Sequence, residues 1–281
     1  MGGFENLTIK DRTLSKDFKK PIGIFDSGIG GLTVLKQIMR LLPDENTIYL
    51  GDTARVPYGT KSQETVKKYT FQNVHFLLEK GIKLLVIACN TATAYSLEIV
   101  KRTFKIPIIG VIEPGAIAAV RESRIKRVGV IGTRGTIESS VYRKAILSIN
   151  SEFSVFEKPC PLFVSLAEEG LIKNNISLMI ADKYLSSFNN KRIDTLVLGC
   201  THYPLLKNII QKSIGKDVKL IDSSIETAMV VKDILRDNSL ENKNSIKPYH
   251  RFFITDTSSH FLKTAKLFLG KEIEHFVQVD L

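Results

Sequence analysis

Short apolar runs, each about one strand long, alternate along this chain with segments of helical period, and that alternation leaves few folds open. The runs are IGIFD (22–26), TIYLGD (47–52), LLVIAC (84–89), IPIIGVI (106–112), RVGVIG (127–132), TLVLGC (195–200), VKLID (218–222) and FFITD (252–256). Amphipathic stretches such as 62–80 and 177–188 lie between them. Nearly continuous apolar strands separated by helices read as parallel strands covered on both faces. The expected class is therefore α/β, with doubly wound and mainly parallel sheets.

The chain also echoes itself. IGIFDSGIGG (22–31) is similar to VGVIGTRGT (128–136), and LLVIACNTAT (84–93) to TLVLGCTHYP (195–204). Two similar α/β halves follow, related by a pseudo-twofold axis, with a site expected in the cleft between them. A boundary is expected near IEPGAIAAV (112–120), where a Pro-Gly turn opens a helix. The helix-like ETAMVVKDILRD, the polar stretch 238–248, FFITD and IEHFVQV (273–279) have no counterpart in the second half. They are expected to return to the first. The expected division is a loose extension over 1–20, a first domain of 21–117 plus 226–281, and a second domain of 118–225.

The chain of 281 residues carries a formal charge of +11. Its lysines are scattered in pairs, without an uninterrupted basic tract or interleaved aromatic residues, so a solvated surface is the better reading than a nucleic-acid face. Residues 1–20 are polar throughout, no run approaches membrane-spanning length, and there are three cysteines. A reducing, cytoplasmic setting is expected, with no membrane partner.

Two of those cysteines carry the chemistry. Cys89 and Cys200 each end a strand-like run and precede a helical pattern. Open α/β sheets gather ligands at the carboxyl ends of their strands. Helix N-termini there offer free N–H groups and a positive dipole end, which attract carboxylates and lower a thiol pKa. Cys89 is followed by Asn90 and Thr91, and Cys200 by Thr201, His202, Tyr203 and Pro204. Pro204 suits a first helical turn, and His202 is placed to hydrogen-bond Cys200. Either cysteine alone is explained by simple burial at a strand end; their shared context favours a pair of reactive thiols. Cys160, between two prolines in FEKPCPLF, reads as structural. Neither Cys89 nor Cys200 has a CxxC partner, so no metal site is expected, and a disulfide would require the fold to bring the sulfurs together.

Other motifs are weaker. In FDSGIGG (25–31), Asp26 and Ser27 suit recognition of a small carboxylate or ammonium, because the run lacks the Lys-Ser/Thr of a P-loop and the spacing of a dinucleotide fingerprint. Helix capping by Asp26 is the plain alternative. GDTARVPYG (51–59) either turns Tyr58 and Gly59 toward the cleft or is an ordinary loop. Thr133 and Thr136 in VIGTRGT are hydroxyl donors or helix caps, and Glu168 and Glu169 in SLAEEG read as solvated helix-end charges.

Taken in order, FDSGIGG, GDTARVPYG, ACNTATA, IIGVIEPGA, VGVIGTRGT, CPLF followed by AEEG, and GCTHYPLL closely resemble the glutamate racemase family, from about Pro21 to the C-terminus. That resemblance implies a racemase working without pyridoxal phosphate or any other cofactor, a homodimer, and a supply of D-glutamate for peptidoglycan. It also implies that Cys89 takes the α-proton from D-glutamate and Cys200 from L-glutamate. Asp26 and His202 would assist the thiols, with Glu168 as a further auxiliary acid and Glu169 as the alternative. The implied substrate contacts are Asp26, Ser27, Tyr58, Gly59, Asn90, Thr91, Thr133, Thr201 and His202. One departure is Ser165, where family members often carry proline. Competing expectations are a relative acting on aspartate, a hydantoin or a substituted malonate, and a non-catalytic amino-acid sensor.

Overall fold

Each apolar run becomes a strand, and the strands assemble into two separate parallel sheets. The computed structural model describes residues 18–243, 247–257 and 261–281; most of the expected 1–20 extension and part of the 238–248 stretch lie outside the described residues. The strands are β1 (Ile22–Asp26), β2 (Thr47–Gly51), β3 (Leu84–Ile87), β4 (Ile108–Gly110), β5 (Arg127–Gly132), β6 (Ser154–Pro159), β7 (Thr195–Gly199), β8 (Lys219–Asp222), β9 (His250–Ile254) and β10 (Val277–Gln278). The helices of the first part are α1 (Leu32–Leu41), α2 (Gln63–Glu79), α3 (Asn90–Thr103) and α4 (Ile112–Glu122). Then come α5 (Arg134–Glu138), α6 (Val141–Ile149), α7 (Leu162–Glu168), α8 (Asn175–Leu185), α9 (Lys207–Ile214), α10 (Ser223–Asp237) and α11 (Phe261–Leu269).

The six-stranded sheet runs β10-β9-β2-β1-β3-β4 and the four-stranded sheet β6-β5-β7-β8. Every pairing is parallel. The inner order β2-β1-β3-β4 matches β6-β5-β7-β8 strand for strand. The echoed sequences thus occupy equivalent places, β1 with β5 and β3 with β7. Strands β9 and β10 extend the first sheet beyond β2.

Central strands follow the apolar runs because they are covered on both faces: all residues of β1, β2, β3 and β7 are buried. Strand β6 escaped the sequence reading for the converse reason. It is an edge strand, buries Val155 alone, and ends in Pro159; an edge needs no apolar run and tolerates proline. The run 106–112 shortens to Ile108–Gly110 because Ile112 already opens α4. A domain break after residue 117 would fall inside α4, whose Ile112, Ala116 and Ala119 pack with Val128, Val130 and Val197 of the second sheet. Helix α10 leaves the second sheet and buries Ala228, Val231 and Leu235 against Leu35 and Ile38 of α1.

Behind the first sheet, Lys83 at the head of β3 is buried with Glu45. Its Nζ donates to Glu45 Oε2 (2.5 Å) and to the carbonyls of Phe18 (2.8 Å) and Leu240 (2.7 Å). Glu45 Oε1 accepts from the Asn242 amide at 2.7 Å. One ion pair thereby ties the chain entering β1, the α1–β2 loop and the segment following α10. Among the described residues no helix is long and apolar enough to cross a membrane.

Candidate active site

Both cysteines lie just beyond the carboxyl ends of equivalent strands, Cys89 after β3 and Cys200 after β7, and both line one small cavity. The β1–α1 turn reaches into the same place because it is built of glycine. A Cβ on Gly30 would stand 2.4 Å from Thr201 Oγ1 and 2.5 Å from the His202 ring, so only glycine lets the two halves approach this closely.

Cys89 caps α3: its sulfur accepts from the Ala92 amide (3.5 Å) and donates to Ser27 Oγ (3.5 Å). The helix N-terminus leads one to expect an acidified thiol, and the structure reverses this. Burial, reinforced by the negative charge of Asp26, pushes Cys89 up to about 12 against the opposing Ala92 and Ser27 hydrogen bonds. In this site Cys89 is held as a thiol.

Cys200 is held differently. Its sulfur lies 3.8 Å from His202 Nδ1, and His202 Nε2 donates to Glu168 Oε1 at 3.0 Å. Burial disfavours the His202 charge, but the hydrogen bonds to Cys200 and Glu168 outweigh it and raise the imidazole to about 10. An imidazolium therefore faces the Cys200 sulfur. Glu168 is the acid that meets His202, whereas Glu169 is the exposed residue ending α7. Replacing Glu168 with Gln removes a stabilising carboxylate, so the His202 titration should move to lower pH. Imidazole NMR shifts followed against pH would show it, and an unmoved titration would mean that Glu168 does not set the charge of His202.

Asp26 joins the two sulfur sites. Wholly buried, it accepts from the Gly28 amide (3.1 Å) and the Thr201 hydroxyl (3.4 Å). Burial raises its pKa while the His202 charge pulls it down.

The cavity wall is rich in hydroxyl and amide groups. Thr91 Oγ1 lies 2.9 Å from Thr133 Oγ1 and 3.3 Å from Thr136 Oγ1, joining the N-termini of α3 and α5 across the two halves. Thr133 also caps α5, its hydroxyl accepting from the Thr136 amide at 3.3 Å, so capping and cleft lining coexist. Gly59 presses on this cluster, since a Cβ there would meet Thr133 at 2.5 Å. The Tyr58 hydroxyl turns away, donating to Asp52 and accepting from Asn73 Nδ2. Tyr58 therefore lines the cavity with its ring and backbone. Asp52, which sequence reasoning missed, anchors this loop by also accepting from Arg55 (2.8 Å) and Thr255 (3.0 Å).

The free space between the sulfurs is about 20 Å³, room for roughly one water. Outside it lies a vestibule of about 290 Å³, which shares Val56, Pro57, Gly59, Thr133 and Val164 with the inner cavity and adds Arg134 and Glu168. Of these, Val56, Pro57 and Val164 had no sequence signal, because they act by position rather than by chemistry. Cys160 is buried in the second core, its sulfur 3.6 Å from the Lys158 carbonyl. All three cysteines are free, and among the described residues no group of three His, Cys, Asp or Glu is placed to hold a metal.

The sequence pattern of the Asp/Glu/Hydantoin racemase family matches residues 22–230. The glutamate racemase of Geobacter metallireducens is 54% identical over 262 residues, covering 93% of this chain and 97% of its own length. That of Aquifex aeolicus is 49% identical over 253 residues, covering 90% and 95%. Among solved structures, the glutamate racemase of Francisella tularensis in complex with D-glutamate superposes with a TM-score of 0.89 at 42% identity, covering 94% of this chain and 98% of that one. The isoform RacE1 of Bacillus anthracis gives 0.90 at 42% identity, covering 93% and 98%. With agreement at this level in sequence and in fold, the chain belongs to the Asp/Glu/hydantoin racemase family, alongside its glutamate racemases, and is an amino-acid racemase, an isomerase.

Proposed function

We propose that this chain interconverts L- and D-glutamate by proton transfer between two cysteines, without a cofactor. The carrying observation is the placement of Cys89 and Cys200 at equivalent strand ends of two matching sheets, on one cavity. Inverting a stereocentre by proton exchange needs a base on one face of the α-carbon and an acid on the other. For L-glutamate, Cys200 removes the α-proton with the His202 imidazolium beside it, and the Cys89 thiol delivers its proton to the opposite face. For D-glutamate the roles reverse. A substrate ammonium beside Asp26 would offset the carboxylate charge that helps hold Cys89 up at about 12.

Among the described residues no lysine or arginine lines the inner cavity. The substrate carboxylates are accordingly bound by the amide of Asn90, the hydroxyls of Ser27, Thr91, Thr133 and Thr201, and the backbone N–H groups at the N-termini of α3 and α5. The backbone N–H groups among these donors also stabilise the carbanion that develops next to the α-carboxylate, in a site from which water is excluded. A cavity of about 20 Å³ does not hold glutamate. The two halves must part to admit the substrate and close again to bring the sulfurs onto its α-carbon.

The proposed setting is cytoplasmic, with the chain acting as a homodimer that supplies D-glutamate for peptidoglycan. The D-glutamate bound by the Francisella relative supports the choice of substrate.

The test is to incubate the purified protein in deuterated water with each enantiomer separately, following circular dichroism and loss of the α-proton signal. Both should converge on equal amounts with α-deuteration, because enantiomers have equal free energy in water. Absence of exchange from both would end this reading, and aspartate turned over as fast as glutamate would reassign the substrate.

A further inference from the structure

Asn90 opens α3 beside Cys89, and its side-chain amide is buried at the cavity wall. Its two ends are treated differently. Oδ1 accepts a hydrogen bond from the Tyr142 hydroxyl at 2.8 Å, while Nδ2 is buried without any protein partner. A buried N–H lacking an acceptor is uncommon and asks for an explanation. Asn90 is itself one of the residues that line the cavity.

Tyr142 comes from the other half of the molecule. It lies on α6, is fully buried, and packs in the second sheet's core. Two glycines make room for its ring: a Cβ on Gly199 would approach it to 3.0 Å, and one on Gly115 would come within 3.3 Å of both ring and hydroxyl. Ser223 stands beside the same phenol. The phenol's own hydrogen goes to Asn90.

An amide is lopsided, since one end accepts and the other donates. Turned about, Asn90 would aim its oxygen at the cavity and repel a carboxylate. We infer that Tyr142 is a positioning residue that locks the Asn90 amide with Nδ2 toward the cavity, making it a donor for a substrate carboxylate. The inference rests on the glutamate reading above. Because the phenol and the amide belong to different halves, the amide is locked only when the halves are together, so carboxylate recognition is coupled to closure.

Tyr142→Phe deletes one oxygen and keeps the ring. A carboxylate contact is made in ground and transition states alike, so its weakening should appear in KM rather than kcat. The expected result is a KM for both enantiomers raised ~3- to 10-fold, the scale of one neutral hydrogen bond, with kcat changed less than about twofold. In an Asn90→Ala background the same substitution should leave KM within about twofold. The side-chain amide NMR signal of Asn90, assigned by its loss in Asn90→Ala, should shift in Tyr142→Phe. A lowered melting temperature with KM and the Asn90 signal unmoved would make Tyr142 a packing residue and overturn the inference, as would an equal KM effect without Asn90. The amide signal needs no turnover, so a chain that fails to racemise glutamate would defeat the substrate reading while the Tyr142–Asn90 lock is still judged separately.

Discussion

Cys89→Ser and Cys200→Ser should each lower racemisation by ~10²- to 10⁴-fold, the usual contribution of a positioned acid or base. A hydroxyl is a far weaker acid than a thiol, and a two-base inversion stops when either partner fails. The residual reaction should be lopsided. With Cys89 replaced, Cys200 still meets the α-proton of L-glutamate and can return a deuteron to the same face, so L-glutamate exchanges without inverting. With Cys200 replaced, D-glutamate should do so. Deuterium incorporation into each enantiomer, measured beside optical inversion, reads both effects. Equal residual exchange of both enantiomers in both variants, or turnover left intact, would remove the assignment of one thiol to each face. Cys160→Ser supplies the control, since Cys160 sits in the second core outside the cavity, and racemisation should persist.

The second large effect concerns stability. Lys83→Met should destabilise the protein by ~3–5 kcal/mol, because it leaves Glu45 as a buried carboxylate without its cation. It also strips a donor from the carbonyls of Phe18 and Leu240. Over a chain of 281 residues that corresponds to a melting temperature lowered by about 5–10 °C. Adding Glu45→Gln removes the stranded charge while keeping an acceptor for the Asn242 amide, which now bonds Glu45 Oε1. The double variant should therefore lose less than the sum of the single ones. Denaturant midpoints for the four proteins complete the cycle. A Lys83→Met cost under ~1 kcal/mol would place the pair in the class of weakly contributing exposed bridges.

How much of this was readable beforehand follows burial. β1 and β5 match their runs residue for residue, since strands covered on both faces must be apolar throughout. β6 left no such trace, because as an edge strand it buries only Val155. In IEPGAIAAV the Pro-Gly pair marks the opening of a helix near the end of the first half. In the fold, Pro114 and Gly115 lie in the first turns of a continuous α4, where proline costs no hydrogen bond.

What the sequence by itself determined is which groups stand at strand ends: Asp26 closing β1 with Ser27 next to it, Cys89 with Asn90 and Thr91 after β3, and Cys200 with Thr201 and His202 after β7. Strand-end position is a local property, and ligands gather there in any open parallel sheet. Only the tertiary structure decided how these groups are tuned. Tyr142 is 52 residues from Asn90 and sits inside a helix with no motif around it. Cys89, read locally at a helix N-terminus, should be acidified; buried and facing Asp26, it is pushed up to about 12. Desolvation and charge act through space, so which face of the cavity holds a proton depends on what the fold packs around each sulfur.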